Sequence, residues 1–240
     1  MIQKYGADAL RLYVMFVAPP EKEIEWTDAG LEGSFRFLAR VWRLVDQVGE
    51  LIRGKDIPSF HGLMLDDSER TLRRKTHDTI RRVTLDLDPR VHLNTAVSAQ
   101  MELVNELYAF LNRSGATLAR PATLAVLEES IEALVLMLSP FAPHMCEELW
   151  EMLGHKDGVV AAGWPEYDEA VAKADEIVVP VQVNGKVRTR LTVPAGSSDD
   201  ALKEIALADP QVVKHLDGKT VRKVVVAGGQ GSRLVSVVVA

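Results

Sequence analysis

The chain has 240 residues, of which 47% are hydrophobic and 26% are charged, and its formal net charge at pH 7 is -6. This composition is typical of a globular protein, and the length allows one large hydrophobic core or two smaller ones. The sequence contains no run of about 18 apolar residues that would predict a membrane-spanning helix, and its charged amino-terminal segment predicts no export signal. The single cysteine excludes an intramolecular disulfide and favours the reducing cytoplasm.

The charge is distributed unevenly along the chain. Residues 178–240 contain nine Lys/Arg and five Asp/Glu, a balance of +4, so the preceding residues carry -10. A basic end on an acidic body suggests that the end of the chain contacts a polyanion such as a nucleic acid. A chance asymmetry would give the same counts, so charge alone leaves both interpretations open.

Two helices are predicted near the amino terminus. The first covers residues 1–17, and the second begins with Asp28 as its cap. Apolar residues recur in the second helix at three- and four-residue spacing, which predicts one buried stripe with Arg36, Arg40 and Arg43 outside it. The predicted stripe consists of Leu31, Phe35, Leu38, Trp42, Val45, Val48 and Ile52.

A third helix is predicted over residues 67–87, with a thin apolar stripe. Its middle carries six Lys/Arg against the single acid Asp78. Two interpretations stay open: a solvated helix face, or a surface that contacts a phosphate backbone, which Lys and Arg do without sequence preference. The six cations are Arg70, Arg73, Arg74, Lys75, Arg81 and Arg82.

Two more helices and a proline corner follow. A fourth helix is predicted after the Asp88-Pro89 break, and a fifth begins at Pro121. The fifth ends at a corner, because Pro140 and Pro143 each remove a backbone donor and disfavour helix in the preceding residue. A last helix begins at Pro143 and stops at Gly154. The short connections favour an antiparallel bundle.

The periodicity changes from helical to strand-like after a predicted linker over residues 155–176. Asn184-Gly185 then predicts a two-residue hairpin turn, since both positions need positive φ. In the second strand of the hairpin, strict alternation places Lys186, Arg188 and Arg190 in one row, about 6.5–7 Å apart, on the face away from the core. A solvated strand face would carry the same row, so a phosphate contact and a solubility role both stay open.

The rest of the chain predicts two short helices and a second pair of strands. Ser198 caps the first helix, and Asp209-Pro210 starts the second. Strands are predicted over residues 220–226 and 233–239. The carboxy-terminal domain, residues 173–240, therefore has the order β-β-α-α-β-β.

Several segments resemble one enzyme family. SPFAPHMCEELW (139–150) resembles the last helical corner of the anticodon-binding bundle in class I aminoacyl-tRNA synthetases for leucine, isoleucine and valine. YGADALRLYVMF (5–16) resembles the segment that follows the KMSKS signature of leucyl-tRNA synthetases. VQVNGKVRTRLTVP (181–194) and LDGKTVRKVVV (216–226) resemble the carboxy-terminal domain peculiar to the bacterial enzymes. On these segments the chain is identified as a member of the bacterial leucyl-tRNA synthetase family, downstream of KMSKS.

The resemblance implies a multidomain fold. An all-α antiparallel bundle, the class Ia anticodon-binding domain, is expected over residues 28–172, followed by the small α+β domain over residues 173–240. Residues 1–27 would end the catalytic and stem-contact region. The chain lacks the family's catalytic signatures and editing domain, and His144 and Cys146 have no partners at ligand or nucleophile spacing. No catalytic residue and no metal ligand are therefore expected.

The family joins leucine to tRNA(Leu) with ATP and Mg²⁺. For this chain the resemblance implies a tRNA-positioning role in the cytoplasm, beside the catalytic and editing domains of the same enzyme. The alternative is a free-standing helical scaffold whose basic tail binds a protein or an RNA unrelated to aminoacylation. The residues expected to contact tRNA are Arg73, Arg74, Lys75, Arg81, Arg82, Lys186, Arg188, Arg190, Lys219, Arg222 and Lys223.

Overall fold

The structure divides into two compact units, residues 1–173 and residues 174–240. It is a computed structural model. Within the described ranges, no helix has the length and apolar content that crossing a bilayer requires. The residues described are 1–17, 26–114, 118–173, 176–194, 197–216, 220–228 and 233–239.

The first unit is helical, as the sequence predicts. The single helix predicted over residues 1–17 is wrong, because Gly6 adopts a φ of 82° and separates two helices. Residues 1–17 belong to the same compact unit as the bundle. The helices are α1 (Ile2–Tyr5), α2 (Ala7–Val17), α3 (Asp28–Ile52), α4 (Asp67–Leu87), α5 (Leu93–Ser114), α6 (Pro121–Leu138), α7 (Pro143–Met152) and α8 (Glu169–Ala172).

The buried face of α3 differs from the predicted stripe at two aromatic positions. Phe35 and Trp42 are 42% and 39% exposed, whereas Phe37, Val41 and Leu44 are buried. The buried face is thus rotated toward these last three residues, which places Phe35 and Trp42 beside the core. The cap is also displaced by one residue: the Gly30 N–H donates to the side chain of Thr27, which is the N-cap in place of the predicted Asp28.

Helix α4 is packed against α5, α6 and α8. Its thin apolar stripe is supplemented by buried polar residues that bond to α6. The Thr123 hydroxyl donates to the Glu69 carboxylate at 2.6 Å, and the hydroxyls of Thr76 and Ser130 are 2.7 Å apart. These bonds satisfy polar groups that would otherwise be costly to bury.

The proline corner between α6 and α7 forms as predicted. Pro143 occupies the first turn of α7, and Phe141 is buried with 1% exposure. The start of α7 is capped by a residue from α2, which the sequence pattern does not indicate. The Asp8 carboxylate accepts a hydrogen bond from the Met145 N–H at 2.7 Å and lies 2.8 Å from His144 Nδ1. A carboxylate at this position is favoured by the exposed N–H groups of the helix start.

The predicted linker is wrong for residues 155–173, which pack on the bundle. The Trp164 indole donates to Thr84 at 2.8 Å. The Asp168 backbone N–H donates to His77 Nδ1 at 3.0 Å. The division between the two units falls after Lys173, at the end of this packed segment.

The second unit contains a four-stranded sheet with strand order β2-β1-β4-β3. Strands β1 and β4 are parallel, and the two outer pairs are antiparallel. Helices α9 and α10 cover one face, where Val181, Leu202 and Val235 are fully buried. The predicted fold class, a helical bundle followed by a β-β-α-α-β-β domain, is therefore confirmed. The elements are β1 (Glu176–Val183), β2 (Lys186–Pro194), α9 (Asp199–Ala208), α10 (Pro210–Leu216), β3 (Val221–Ala227) and β4 (Leu234–Val239).

Candidate nucleic-acid interface

Arg73, predicted to contact tRNA, is part of the contact between α4 and α6. Its guanidinium Nε lies 3.0 Å from Glu129 Oε2, and the guanidinium lies over the Phe60 ring at 3.8 Å. The same carboxylate lies 3.0 Å from Nε2 of His77. Because His77 Nδ1 accepts the Asp168 N–H, its Nε2 carries the proton that is donated to Glu129. Arg73 therefore links α4 to α6 and to Phe60 in the loop before α4, while His77 links the same carboxylate to the packed segment.

Lys75 and Arg82 share one carboxylate on α5. Glu102 Oε2 lies 2.7 Å from Lys75 Nζ and 2.8 Å from the Arg82 guanidinium. Burial alone would raise the pKa of Glu102, but the hydrogen bonds from Arg82 and Lys75 outweigh it, and the pKa is lowered. The hydrogen bond to Glu102 raises the pKa of Arg82. Both cations are thus paired with one carboxylate, which offsets one of their two positive charges.

The remaining two predicted cations of α4 differ from each other. Arg81 pairs with Asp78 at 2.6 Å. Arg74 is half-buried, and no carboxylate among the described residues forms an ion pair with it. Of the five α4 residues predicted to contact tRNA, Arg74 is the one whose charge a described acid does not offset.

The predicted row of three cations on β2 is interrupted by a register shift. Lys186 is opposite Val183, Thr189 is opposite Val181, and the shift leaves Arg188 as an extra residue between them. Opposite residues in an antiparallel pair point to the same face, so Lys186 shares the face of the buried Val183. Arg190, by contrast, is opposite Pro180. The one-face prediction is therefore wrong, because a bulge reverses the alternation that produced it.

The β2 cations are nevertheless exposed. Lys186, Arg188 and Arg190 all lie on the surface, and none forms an ion pair with a carboxylate in the described part of the chain. An exposed cation without a local counter-ion is available to a phosphate. These three residues are thus available to a phosphate, whereas the paired cations of α4 already have a carboxylate partner.

The opposite edge of the sheet has the same construction. A second register shift falls between Val221 and Lys223, so Arg222 lies at an irregularity of β3 as Arg188 does in β2. Arg222 and Lys223 are exposed and make no ion pair within the described ranges. Lys219, the sixth predicted cation of this unit, lies outside the described residues.

The sheet face opposite α9 and α10 carries exposed valines, whose exposure the strand pattern does not predict. Val178 is 57% exposed, Val187 53% and Val238 40%. Lys223 is opposite Val238, so it shares this face. Consecutive valines in β1 and β4 hide the alternation, and only the strand pairing distinguishes the buried valines from the exposed ones.

Other reactive residue types form no site in the described part of the chain. Its His, Cys, Asp and Glu side chains include no group of three or more that could hold a metal ion. Burial raises the pKa of the Cys146 thiol, so the side chain stays protonated and unreactive. His144 bonds to Asp8 and supports the start of α7.

The family model for the anticodon-binding domain of tRNA ligases matches residues 69–205. The match begins in α4 and extends into α9, so it spans parts of both units.

Curated relatives cover the whole chain. It is 44% identical over 239 residues to a leucine–tRNA ligase of Geotalea daltonii and 46% identical over 239 residues to that of Geotalea uraniireducens. The chain spans 28% of the length of each of these proteins.

A solved structure has the same fold over the full chain. It is the ternary complex of the Agrobacterium radiobacter K84 agnB2 LeuRS with tRNA and LeuAMS. The TM-score is 0.79 at 31% sequence identity, and the match covers 100% of this chain and 29% of that one.

Proposed function

Because the chain belongs to the family of tRNA-ligase anticodon-binding domains, we propose that it is the tRNA-binding, carboxy-terminal part of a leucine–tRNA ligase. Its substrate partner would be tRNA(Leu), and its protein partners the catalytic and editing domains of the same enzyme. The whole enzyme would join leucine to this tRNA in the cytoplasm. The whole enzyme would use ATP and Mg²⁺.

The observation that supports this proposal most is the set of unpaired cations on the sheet unit. They lie on both edge strands, and the described carboxylates leave them free for phosphate contacts. Phosphate contacts fix the position of a protein on nucleic acid without reading its bases. The unit has no aromatic residue on which bases could stack. The members of this set, called the edge cations below, are Lys186, Arg188, Arg190, Arg222 and Lys223.

A role in positioning follows from this chemistry. Holding the body of a tRNA restricts the motion of its acceptor end, so an active site elsewhere loses less orientation entropy during the reaction. Such a contribution requires no chemical group from the bound surface. The α4 cations would contribute less, because four of the five predicted ones are engaged by Glu129, Glu102 or Asp78.

The test is a titration of leucine tRNA against the full chain at several salt concentrations. Each lost phosphate contact lowers the slope of log affinity against log salt by about one. We expect Arg188→Ala with Arg190→Ala to lower it by about two. Lys203→Ala is the matched control, because Lys203 is a cation of the same unit already paired with Asp200 at 2.8 Å.

Two outcomes would contradict the proposal. One is an equal slope for the double variant and the control, which would mean that the edge cations do not contact phosphates. The other is equal, weak affinity for leucine tRNA and for a tRNA with a short variable arm. That result would favour the free-standing scaffold over a tRNA-positioning role.

A further inference from the structure

The Asn184-Gly185 turn has a second role besides joining β1 to β2. Asn184 and Gly185 have φ values of 48° and 81°, as a two-residue hairpin turn requires. Asparagine is common at the first position of such a turn, but the backbone requirement does not determine what its side chain contacts.

The Asn184 side chain bonds to the last described strand on both of its polar atoms. Its Nδ2 donates to the Val239 carbonyl at 3.2 Å, and its Oδ1 accepts from the Val239 N–H at 3.0 Å. The Asn184 backbone N–H donates to the Val237 carbonyl at 3.0 Å. A carboxamide has the donor and acceptor of a peptide group. The Asn184 side chain therefore makes the hydrogen bonds to β4 that the backbone of β1 would make if β1 did not end at the turn.

This substitution extends the parallel pairing of β1 and β4 by one step. Backbone pairing ends at Val183 opposite Val237, immediately before the turn. Val239, held by the Asn184 amide, is 6% exposed and belongs to the core of the second unit. On the side of β4 that faces β1, the Val239 N–H and carbonyl therefore bond to the amide of Asn184, whereas on the other side Val239 pairs with Val221 of β3.

Asparagine followed by glycine is also the pair that deamidates most readily. Glycine has no side chain that would hinder its backbone nitrogen from attacking the asparagine side chain. That nitrogen forms a bond to the Asn184 side-chain carbonyl carbon. The side-chain nitrogen leaves as ammonia, taking the proton from the Gly185 nitrogen, and a succinimide ring remains. Water then opens the ring at either carbonyl and leaves aspartate or isoaspartate.

We propose that Asn184 is a deamidation site that the end of β4 protects, and that its deamidation breaks the side-chain hydrogen bond to the Val239 carbonyl. The reaction requires the amide to leave Val239 and turn toward the Gly185 nitrogen. Afterwards, an aspartate carboxylate has no proton to donate and faces the Val239 carbonyl with like partial charge. Isoaspartate adds a carbon to the backbone and changes the turn itself. This inference does not depend on the proposed function.

The first experiment compares deamidation rates in folded and urea-unfolded protein in mildly alkaline buffer. Peptide mass spectrometry measures conversion at each asparagine. Breaking two hydrogen bonds should make conversion at Asn184 about tenfold slower in the folded protein. The chain's other asparagines precede residues other than glycine and serve as internal references. Equal rates in both states would overturn the protection. The reference residues are Asn94, Asn105 and Asn112.

The second experiment measures amide hydrogen exchange at Val239 in two variants. Asn184→Asp reproduces the deamidated product, and Asn184→Gly keeps the turn while removing the amide. Asn184→Gly should speed exchange at Val239 about fivefold or more, because it removes the acceptor of the Val239 N–H, while the pairing of β1 with β2 keeps its protection. Asn184→Asp should speed exchange less, because its carboxylate still accepts from that N–H while it repels the Val239 carbonyl. Asn112→Asp, the same chemical change at an exposed helix position, should leave Val239 unchanged. Unchanged exchange in Asn184→Gly would overturn the inference, since asparagine would then serve the turn alone.

Discussion

The cations of α4 and the edge cations of the sheet unit have the same chemistry but different surroundings. On α4, Glu129 and Glu102 lie within 3.0 Å of three of them, and the helix is covered by its neighbours. On β2 and β3, the cations are exposed and unpaired with described carboxylates. A count of Lys and Arg predicts the same role for both groups. The structure separates them, because a cation available to a phosphate needs both exposure and the absence of a nearer anion.

The largest expected effect, on the free energy of unfolding, comes from removing the carboxylate that Arg73 of α4 pairs with. Glu129→Ala would leave Arg73 and His77 without their shared carboxylate in a partly buried position. Removing one partner of a partly buried ion pair should cost about 2–3 kcal/mol in the free energy of unfolding. Urea denaturation of the full chain measures the loss. Its control is Glu32→Ala, whose partner Arg36 is exposed. A loss below about 0.5 kcal/mol would mean that the α4 cations are not structural.

The complementary change removes cations of the sheet unit. Lys186→Ala, Arg188→Ala and Arg190→Ala together should lower the salt slope of RNA binding by about three. Because these side chains are exposed and unpaired, the free energy of unfolding should change by less than about 0.5 kcal/mol per residue. RNA titration and urea denaturation on the same preparation measure both quantities. Strong destabilisation without a change in the salt slope would mean that these edge cations stabilise the fold and do not contact phosphates.

Periodicity predicted most of the fold, and the errors share a physical cause. The helix bounds of α4, the corner at Pro143 and the turn at Asn184-Gly185 follow from local chemistry: caps, missing donors and positive φ. The bulge at Arg188 and the partners of Arg73 depend on residues distant in sequence. A strand pattern assumes strict alternation, and one extra residue reverses the faces. The sequence therefore identifies the candidate cations, whereas their partners and the faces on which they lie depend on the fold.

A smaller effect concerns the pH dependence of the α4 contacts. The pKa of Glu102 is lowered below its ordinary value of 4.5 in the folded protein, where Arg82 and Lys75 donate to it. A carboxyl group with a lowered folded pKa stabilises the fold above its unfolded pKa and loses this contribution as the pH falls through the folded pKa. Stability of the first unit should therefore decline below about pH 4.5 more steeply than in Glu102→Gln. The difference should stay within about 0.5 kcal/mol, since half of the Glu102 side chain is exposed. Urea midpoints are measured for both proteins across this pH range. If the pairing is not formed, the midpoint should change with pH equally in the unsubstituted chain and in Glu102→Gln.

The smallest expected effect concerns Arg74, the exception within the α4 group. Arg74→Ala removes a cation without a described carboxylate partner, whereas Arg81→Ala removes one that Asp78 already holds at 2.6 Å. If local neutralisation decides which cations reach a phosphate, Arg74→Ala should lower the salt slope of RNA binding by up to about one. Arg81→Ala should change it less, because Asp78 competes with the phosphate for the guanidinium. If both variants keep the salt slope of the unsubstituted chain, α4 does not contact the RNA, and the edge cations make the phosphate contacts. A larger change for Arg81→Ala would mean that RNA displaces Asp78, and then pairing in the free protein would not predict which cations bind.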